Sequence, residues 1–239
     1  MNFFNYKGIV DYPIFLQECK SPEQTKLFRD TINTYHSYVK YKDVPQRRIN
    51  WNIYDTNTGN LIGAIGLSSC VLALGCRDRW IGWNKEERLQ NSNSVANNYR
   101  FCLIPNNGIK NVGTMALKLL REEGAKRWKE KYGDDLLLIE TYVQPLIDQS
   151  ENKRNGAVYL ADNWTMCGET LGNSIKKAPV LLWQRENSAR GELARTNPEA
   201  AIAKYAVGRE HYVVTTSPIK LVFVKPLVKD FKNKLVKLT

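Results

Sequence analysis

Segment 76–83 concentrates side chains that could bind nucleic acid, with three charges and two tryptophans in eight residues. Arginine suits phosphate contacts, and tryptophan can stack on bases. The predicted nucleic-acid contacts in this segment are Arg77, Arg79, Trp80 and Trp83. In the alternative interpretation the tryptophans cover an edge of the core and Asp78 pairs with an arginine, since surface charge clusters are common.

Two further polar residues, Arg100 and Glu140, lie at the ends of two apolar runs. Charged groups in such positions are candidates for a functional site. They are equally candidates for a structural ion pair or for solvated strand ends, because ion-pair networks also place charges there. The sequence alone leaves both interpretations open.

Segment 97–142 is the unit that must position these groups. Residues 97–104 and 136–142 are nearly continuous apolar runs, which is typical of strands in a sheet covered on both faces. Between them, five apolar residues recur with helical spacing and predict one buried helical face. These residues are Val112, Met115, Ala116, Leu119 and Leu120. Gly133 can end this helix with a positive φ, and two parallel strands would complete a βαβ unit.

The flanking segments predict the rest of one α/β domain. Ser21, Pro22 and Gln24 are typical of a capped helix start, with the helix running to about residue 35. Residues 49–55 and 61–67 predict a hairpin, and 156–172 a short helix followed by a strand. Further elements are expected as a strand at 180–183, a helix at 198–205 and an edge strand at 219–227, where lysines and Pro226 would blunt the edge. The expected domain limits are 1–215, with 216–239 as edge strand and lysine-rich tail.

The composition favours a basic protein of a reducing compartment. The chain has 239 residues and a formal charge of +11, which favours a polyanion partner, nucleic acid first. Five cysteines without a CxxC pattern predict free thiols, and two histidines give no zinc-site spacing, so no metal is expected. The absence of a signal peptide or an apolar run of about 18 residues predicts no membrane association.

The order helix, hairpin, strand–helix–strand, helix, strand resembles the acyltransferase fold of the GNAT superfamily. The fold class implied is α/β (α+β), with a mixed, splayed central sheet, flanking helices and a basic C-terminal extension. Five ordered motifs resemble the Druantia anti-phage system protein A family, also found near transposons, over roughly residues 25 to 185. The motifs lie at 35–38, 77–83, 97–101, 140–143 and 156–170.

The same scaffold resembles the Mom DNA-modification proteins of phages, GNAT-like enzymes that modify the exocyclic amine of adenine in DNA. The residues carried across as catalytic are His36, Arg100, Glu140 and Tyr159. The resemblance implies that His36 accepts a proton, that Glu140 shares or orients this role, and that Tyr159 protonates the leaving group. Arg100 would hold a phosphate or carboxylate. All four are expected in one cleft at the fork of the sheet.

The resemblance also implies an acyl-CoA-type donor bound at a helix N-terminus. The matching donor-binding residues are Lys110, Gly113 and Thr114. The match departs at Met115, where a small residue is usual, and at Ser37, where an aromatic residue is usual and Tyr38 could substitute. Reaching a base amine would require an unstacked or flipped base, with Asn163 and Trp164 joining the predicted nucleic-acid contacts.

Three functions follow as hypotheses. The first is a GNAT-like transferase that modifies a nucleobase amine in DNA, in the cytoplasm of a bacterial or phage-infected cell. The second is a non-catalytic DNA-binding protein of a defence or transposon system, and the third is an acyltransferase acting on small molecules or proteins. The sequence leaves the donor and the oligomeric state open.

Overall fold

The computed structural model describes residues 12–36, 41, 46–147, 153–177, 183–184, 186–205 and 212–236. The chain divides into two compact units, one comprising Met1–Glu169 with Leu221–Thr239 and the other Thr170–Lys220. These are packing units, and the domain limits expected from the sequence stay a prediction. The predicted strand at 180–183 lies mostly outside the described residues, as do Ser37 and Tyr38.

The strands of the described residues fall into one large sheet and two short pairs. They are β1 (Ile14–Glu18), β2 (Arg48–Asp55), β3 (Leu61–Ser69), β4 (Val95–Leu103), β5 (Leu138–Val143), β6 (Leu146–Ile147), β7 (Lys153–Arg154), β8 (Thr165–Glu169), β9 (Asn173–Lys177), β10 (Tyr212–Thr216) and β11 (Leu221–Pro226). The large sheet has seven strands in the order β1-β2-β3-β4-β5-β11-β8.

The helices pack on both faces of this sheet or belong to the second unit. They are α1 (Pro22–Tyr35), α2 (Gly75–Ile81), α3 (Lys85–Asn91), α4 (Val112–Leu119), α5 (Ala125–Tyr132), α6 (Ala157–Ala161), α7 (Ala189–Thr196), α8 (Pro198–Tyr205) and α9 (Phe231–Val236). A π-helical segment, Leu120–Gly124, joins α4 to α5.

The strands β4 and β5 are parallel and pair only from Val95–Asn97 to Leu138–Glu140. Both strands continue past this point without pairing to each other, so the sheet forks after Asn97 and Glu140. The other pairings of the large sheet are antiparallel in the described residues. The expected fold class, a mixed and splayed sheet flanked by helices, is therefore confirmed.

Local sequence signals explain several elements. Ser21 and Gln24 form the predicted capping box at the start of α1, which satisfies backbone N–H groups that the first helical turn leaves unpaired. Gly133 ends α5 with a φ of 82°. The predicted helices over 112–120 and 198–205, the hairpin of β2 and β3, and the helix and strand within 156–172 are likewise observed.

The sheet has two differently covered faces, which we call face A and face B. Face A packs against α4 and α5, and its core includes Trp51, Leu117, Leu120 and Trp128. Face B packs against α1 over β3 and β4. Near β5 and β11 it packs instead against α2 and α9. Each strand residue can therefore be assigned to a face by its alternation along the strand.

The strand predicted at the sheet edge is interior, and this prediction is wrong. β11 lies between β5 and β8, and Val222, Phe223 and Val224 are fully buried. The lysine pattern was misinterpreted because Lys225 does not protect an exposed strand edge. Its ammonium group donates to the backbone carbonyls of Asp162 and Asn163. The basic tail also contributes structure, since Phe231 and Leu235 of α9 are buried.

The second unit has its own small core. Trp183, Ala194 and Ala201 form it, and Tyr205 meets the Trp183 ring edge-on at 6.1 Å. The strands β9 and β10 pair antiparallel. In the part of the chain that the structure describes, no helix combines the length and apolar character that crossing a bilayer requires.

Buried thiols predict a loss of stability at alkaline pH. Burial raises the pKa of Cys70 to about 12 and that of Cys102 to about 11. Above about pH 9 the unfolded chain releases thiol protons that the folded chain keeps. The free energy of unfolding should then fall by up to about 1.4 kcal/mol per pH unit for each thiol. Urea denaturation between about pH 8 and pH 10 measures this; Cys102→Ala should show a shallower slope, and equal slopes would contradict the prediction.

Candidate functional site

Three polar side chains meet on face A where the sheet forks. The Tyr159 hydroxyl donates to Asn98 Oδ1 at 3.0 Å. The Thr141 hydroxyl lies 3.0 Å from the backbone oxygen of Asn98 and 3.4 Å from the Tyr159 oxygen. All three residues are buried. We call this group the fork cluster.

The fork cluster is held in place from β3 and β11. The Asn98 amide donates to the backbone oxygens of Gly66 and Arg100, which leaves its side-chain oxygen for Tyr159. Tyr159 stacks on Phe223 at 5.8 Å and meets Trp164 edge-on at 5.0 Å. Because both ends of the hydrogen bond are fixed by packing, the Tyr159 hydroxyl has a defined position.

The helix that carries Tyr159 depends on a glycine. Gly156 precedes α6 with a φ of 80°, a conformation that residues with a Cβ seldom adopt. A Cβ at this position would also lie 2.6 Å from the Phe223 ring. Gly156 therefore allows the chain to turn into α6 directly over β11.

Glu140 belongs to a different group, on face B. Its carboxylate pairs with the Arg77 guanidinium at 2.7 Å, and both side chains are fully buried. It also accepts hydrogen bonds from the Val71 backbone at 3.0 Å and from the Tyr142 hydroxyl at 2.6 Å. Burial and the neighbouring Glu140 raise the pKa of Tyr142 well above its ordinary value. We call this group the buried ion-pair network.

The expected convergence of four catalytic residues is therefore wrong for Glu140 and Tyr159. Thr141 contacts Tyr159 on face A, and its neighbour Glu140 contacts Arg77 on face B. Successive residues of a strand point to opposite faces, so Glu140 and Tyr159 lie on opposite faces of the sheet and the Glu140 carboxylate is held by Arg77. The structural ion pair that the sequence left open for Glu140 is the one observed, with Arg77 rather than Arg100 as its partner.

The structure places His36 at the end of α1 and Arg100 in β4, beyond the point where the sheet forks. His36 follows α1 as its C-cap, and its backbone N–H donates to the Ile32 oxygen at 3.0 Å. The Arg100 guanidinium donates to the Tyr99 backbone at 2.7 Å and lies 5.1 Å from the Tyr99 ring centroid. Their expected roles in catalysis stay predictions.

Three of the residues predicted to contact nucleic acid are buried, so the prediction of direct contact is wrong for them. Arg77 is fully enclosed, Trp83 is 8% exposed, and Trp164 is 3% exposed. The physical reason is hydrogen bonding inside the core: Trp83 donates to the Leu235 backbone at 2.6 Å and Trp164 to the Asp162 carboxylate at 2.8 Å. Both tryptophans cover the core, which the alternative interpretation held for Trp83, and Asp78 pairs with arginines.

The other predicted contacts remain accessible. Arg79 and Asn163 are exposed, and Trp80 is partly exposed. The Trp80 ring stacks on Phe231 at 5.1 Å, and the Lys232 ammonium lies 4.9 Å from its centroid. Their binding to nucleic acid stays a prediction.

The expected donor-binding turn forms the start of α4. Lys110 is exposed, and the Thr114 hydroxyl donates to the Asn111 backbone at 2.9 Å. No side chain caps this helix start, so its first N–H groups suit an anion such as a pyrophosphate. Gly113 has a packing role here, since an added Cβ would lie 2.5 Å from Val158 of α6. The residues present therefore fit the anionic part of an acyl-CoA-type donor.

Sequence reasoning missed Asn98 and Thr141. The sequence did contain a signal for them. Asn97 and Asn98 in one run, and Thr141 in the other, are polar residues within runs that are otherwise typical of buried strands. Asn97 Oδ1 is buried and has no hydrogen-bond partner among the described residues. Since Asn97 precedes Asn98 in β4, it points to face B. No group of three or more His, Cys, Asp or Glu side chains in the described part is arranged to hold a metal ion.

Comparison with known proteins identifies a family and a set of similar structures. A family model described as Druantia protein DruA matches residues 11–176. Similar solved structures include an aminoglycoside 6'-N-acetyltransferase from Enterococcus faecium, with 12% identity, 90% of this chain and 97% of that chain covered, and a TM-score of 0.42. Another is a mosquito arylalkylamine N-acetyltransferase-like protein, with 9% identity, 89% and 99% coverage and a TM-score of 0.41. No curated protein matches the sequence.

The buried ion-pair network predicts a large stability cost for losing Arg77. Arg77→Met leaves the Glu140 carboxylate buried without its cation, which should lower the free energy of unfolding by about 3–5 kcal/mol. Arg79→Ala is the matched control, because Arg79 is exposed and its loss should change stability by less than about 0.5 kcal/mol. Urea denaturation gives both values. Equal effects of the two substitutions would show that Arg77 is not part of a buried pair.

The contact between α4 and α6 predicts that the effect of Gly113→Ala on stability changes sign when the Val158 side chain is shortened. Gly113→Ala should destabilise by about 1–2 kcal/mol, because overpacking against Val158 outweighs the gain in helix propensity. In a Val158→Ala background the space is restored, and the same substitution should become neutral or stabilising. A double-mutant cycle measured by urea denaturation checks this coupling. Additive effects would contradict the observed contact.

Proposed function

This chain belongs to the Druantia protein DruA family, and we propose that it is a GNAT-like transferase that modifies an exocyclic amine of a nucleobase in DNA. The observation that carries the proposal is the fork cluster: a tyrosine hydroxyl fixed at the point where the two parallel strands separate. A positioned hydroxyl of this kind can protonate a leaving group at the moment of bond cleavage.

The two faces of the fork supply different parts of the reaction. The uncapped start of α4 and the Tyr159 hydroxyl support entry of an acyl-CoA-type donor from face A. On face B, the buried and unpaired Asn97 oxygen can accept an N–H of the incoming amine. A buried acceptor without a hydrogen-bond donor destabilises the folded protein. An N–H donated by the amine would remove that destabilisation.

The proposed chemistry balances as an acyl transfer. The amine nitrogen forms a bond to the acyl carbon, and the carbon–sulfur bond of the donor breaks. The departing sulfur takes the Tyr159 proton, and the nitrogen loses one proton to a base. His36 is the proposed base because an imidazole titrates near neutral pH. Glu140 is excluded from this role by its pairing with Arg77 on face B.

Charge supports DNA as the partner. The formal charge of +11 favours a polyanion. On face B, α2, α9 and the turn before α9 carry exposed cations, namely Arg79, Lys229, Lys232 and Lys234. The Lys232 ammonium lies 4.9 Å from the centroid of the Trp80 ring. Lys234 is partly neutralised by Asp230 at 3.4 Å. Such a surface suits phosphate contacts without base specificity.

A second candidate function is DNA binding without catalysis in a defence or transposon system. The observation that favours it is the enclosure of Tyr159, which is 7% exposed and already hydrogen-bonded. In that case the fork cluster would serve only to close the gap between β4 and β5. Exposed cations on α2 and α9 would then carry the whole activity.

Tyr159→Phe distinguishes the two candidates. Loss of a general acid should reduce the modified nucleoside by about 10²–10⁴-fold without abolishing DNA binding. The control is Tyr142→Phe, which removes a hydroxyl from the opposite face of the sheet and should leave the product in place. Mass spectrometry of nucleosides from cells that express each variant measures the product.

Three outcomes decide the proposal. A new nucleoside that depends on Tyr159 but not on Tyr142 supports transfer to DNA. No new nucleoside with the folded wild-type protein contradicts it and favours the binding protein. Acylation of a small amine or a protein, with thermal stabilisation by an acyl donor but not by DNA, would point to an acyltransferase with another substrate.

A further inference from the structure

A cavity of about 330 Å³ lies at the start of β2, beside α1 and the end of α5. We propose that it binds one nucleotide, with the nucleobase inside and its phosphate at the rim. The inference rests on the proposed function and names the acceptor site of that reaction. Its volume falls at the small end of pockets for small molecules, which favours a single base over a larger ligand.

The lining combines the groups that a nucleotide requires. It holds two aromatic rings, two amides and two cations, namely Tyr41, Tyr132, Gln46, Asn50, Arg48 and Lys131. Aromatic rings stack on bases, and amide side chains can read the donor and acceptor pattern of a base edge. Two basic side chains can hold a phosphate.

The charge of the cavity is positive because its carboxylate is already paired. Glu18 accepts from Arg127 at 2.7 Å and lies 3.7 Å from Lys20. A further guanidinium group borders the lining, since Arg29 lies 5.4 Å from the Tyr41 ring centroid. Arg47, which lies 5.3 Å from the Tyr132 ring centroid, is paired with Asp134. The anionic part of a nucleotide therefore meets an excess of positive charge.

The cavity is connected to the fork by a hydrogen bond. Asn50 Oδ1, which lines the cavity, accepts from the Tyr99 hydroxyl at 2.6 Å. Tyr99 is the extra residue of a bulge in β4, since Asn98 and Arg100 pair with consecutive residues of β3. The bridge needs Gly66 between the two side chains, because a Cβ there would lie 2.8 Å from Tyr99 and 2.9 Å from Asn50.

Asn50 of the cavity and Asn97 of the proposed amine site lie on one face of the sheet, whereas Lys131 and Tyr132 line the cavity from α5 on face A. Asn50 alternates with Ile49 and Trp51, which point into the core of face A, so Asn50 points to face B. Asn97 points to face B as well. The strands β2 and β4 are separated only by β3, about 10 Å apart at ordinary strand spacing. A base seated near Asn50 could therefore direct an exocyclic amine towards the fork.

This site takes the place of Trp83 and Trp164, two of the tryptophans that the sequence favoured for stacking. Trp83 and Trp164 are buried, whereas the cavity is open and its aromatic lining is tyrosine. A base must leave the duplex stack to enter such a cavity. The acceptor is therefore a nucleotide in single-stranded or locally unpaired DNA.

Calorimetric titration of the full chain with dAMP, dGMP, dCMP, TMP and inorganic phosphate tests the proposal without any acyl donor. At least one nucleotide should bind tenfold or more tightly than phosphate. Lys131→Ala should weaken that binding about five- to tenfold through loss of a charged contact. Thr25→Trp, which fills the cavity from α1, should abolish it. Lys126→Ala is the matched control, because it removes an exposed lysine of the same helix outside the lining and should change nothing.

The outcomes separate this inference from the proposed function. Phosphate binding as tight as the nucleotides, or nucleotide binding unaffected by Thr25→Trp in a folded variant, overturns the cavity proposal even if transfer to DNA occurs. Nucleotide binding that depends on Lys131 and Thr25 supports it even if no transferred product forms. An oligonucleotide duplex with one mismatched base should compete better than a fully paired duplex; equal competition would contradict capture of an unstacked base from DNA.

Discussion

The separation of β4 from β5 is the constraint on which the rest of the site depends. Where the ladder stops after Asn97 and Glu140, backbone groups on the facing strand edges lose their usual partners. Buried backbone groups must be paired, and here side chains do this. Thr141 donates to the Asn98 backbone oxygen across the gap. The polar residues of the fork therefore have a structural cause, which also places them where two substrates could meet.

The two faces of the fork meet different electrostatic demands. On face B, Glu140 is buried with Arg77, and a second carboxylate, Asp78, accepts from the same guanidinium at 2.6 Å. A buried pair of this kind contributes little net stability but is costly to break, so it fixes how α2 sits against β5. Face A carries no such charge in the fork cluster itself, only neutral donors and acceptors. A neutral phenol in that position can exchange its acceptor without exposing a buried ion.

Local signals in the sequence predicted local structure well. The face of the sheet that a residue occupies, and the distant residues that it contacts, depend on the whole fold. The capping box of Ser21 and Gln24 and the positive φ of Gly133 depend on a few adjacent residues, and both were predicted. The identity of the Glu140 partner depends on a contact 63 residues away, which no periodicity encodes. Lys225 of β11 was misinterpreted because a long side chain can reach a backbone carbonyl inside the molecule as well as solvent.

The state of Tyr159 limits how the proposed chemistry can proceed. Its proton is directed at Asn98 Oδ1, and the Asn98 amide is held by two backbone oxygens. Asn98 therefore cannot turn away without leaving those oxygens unpaired. A departing sulfur atom must approach the phenol from the open side of the fork and compete with a fixed acceptor. That competition favours proton transfer only once negative charge has developed on the sulfur, because hydrogen bonds to a charged acceptor are stronger than those to a neutral one. The arrangement would thus couple the proton of Tyr159 to bond cleavage rather than to donor binding.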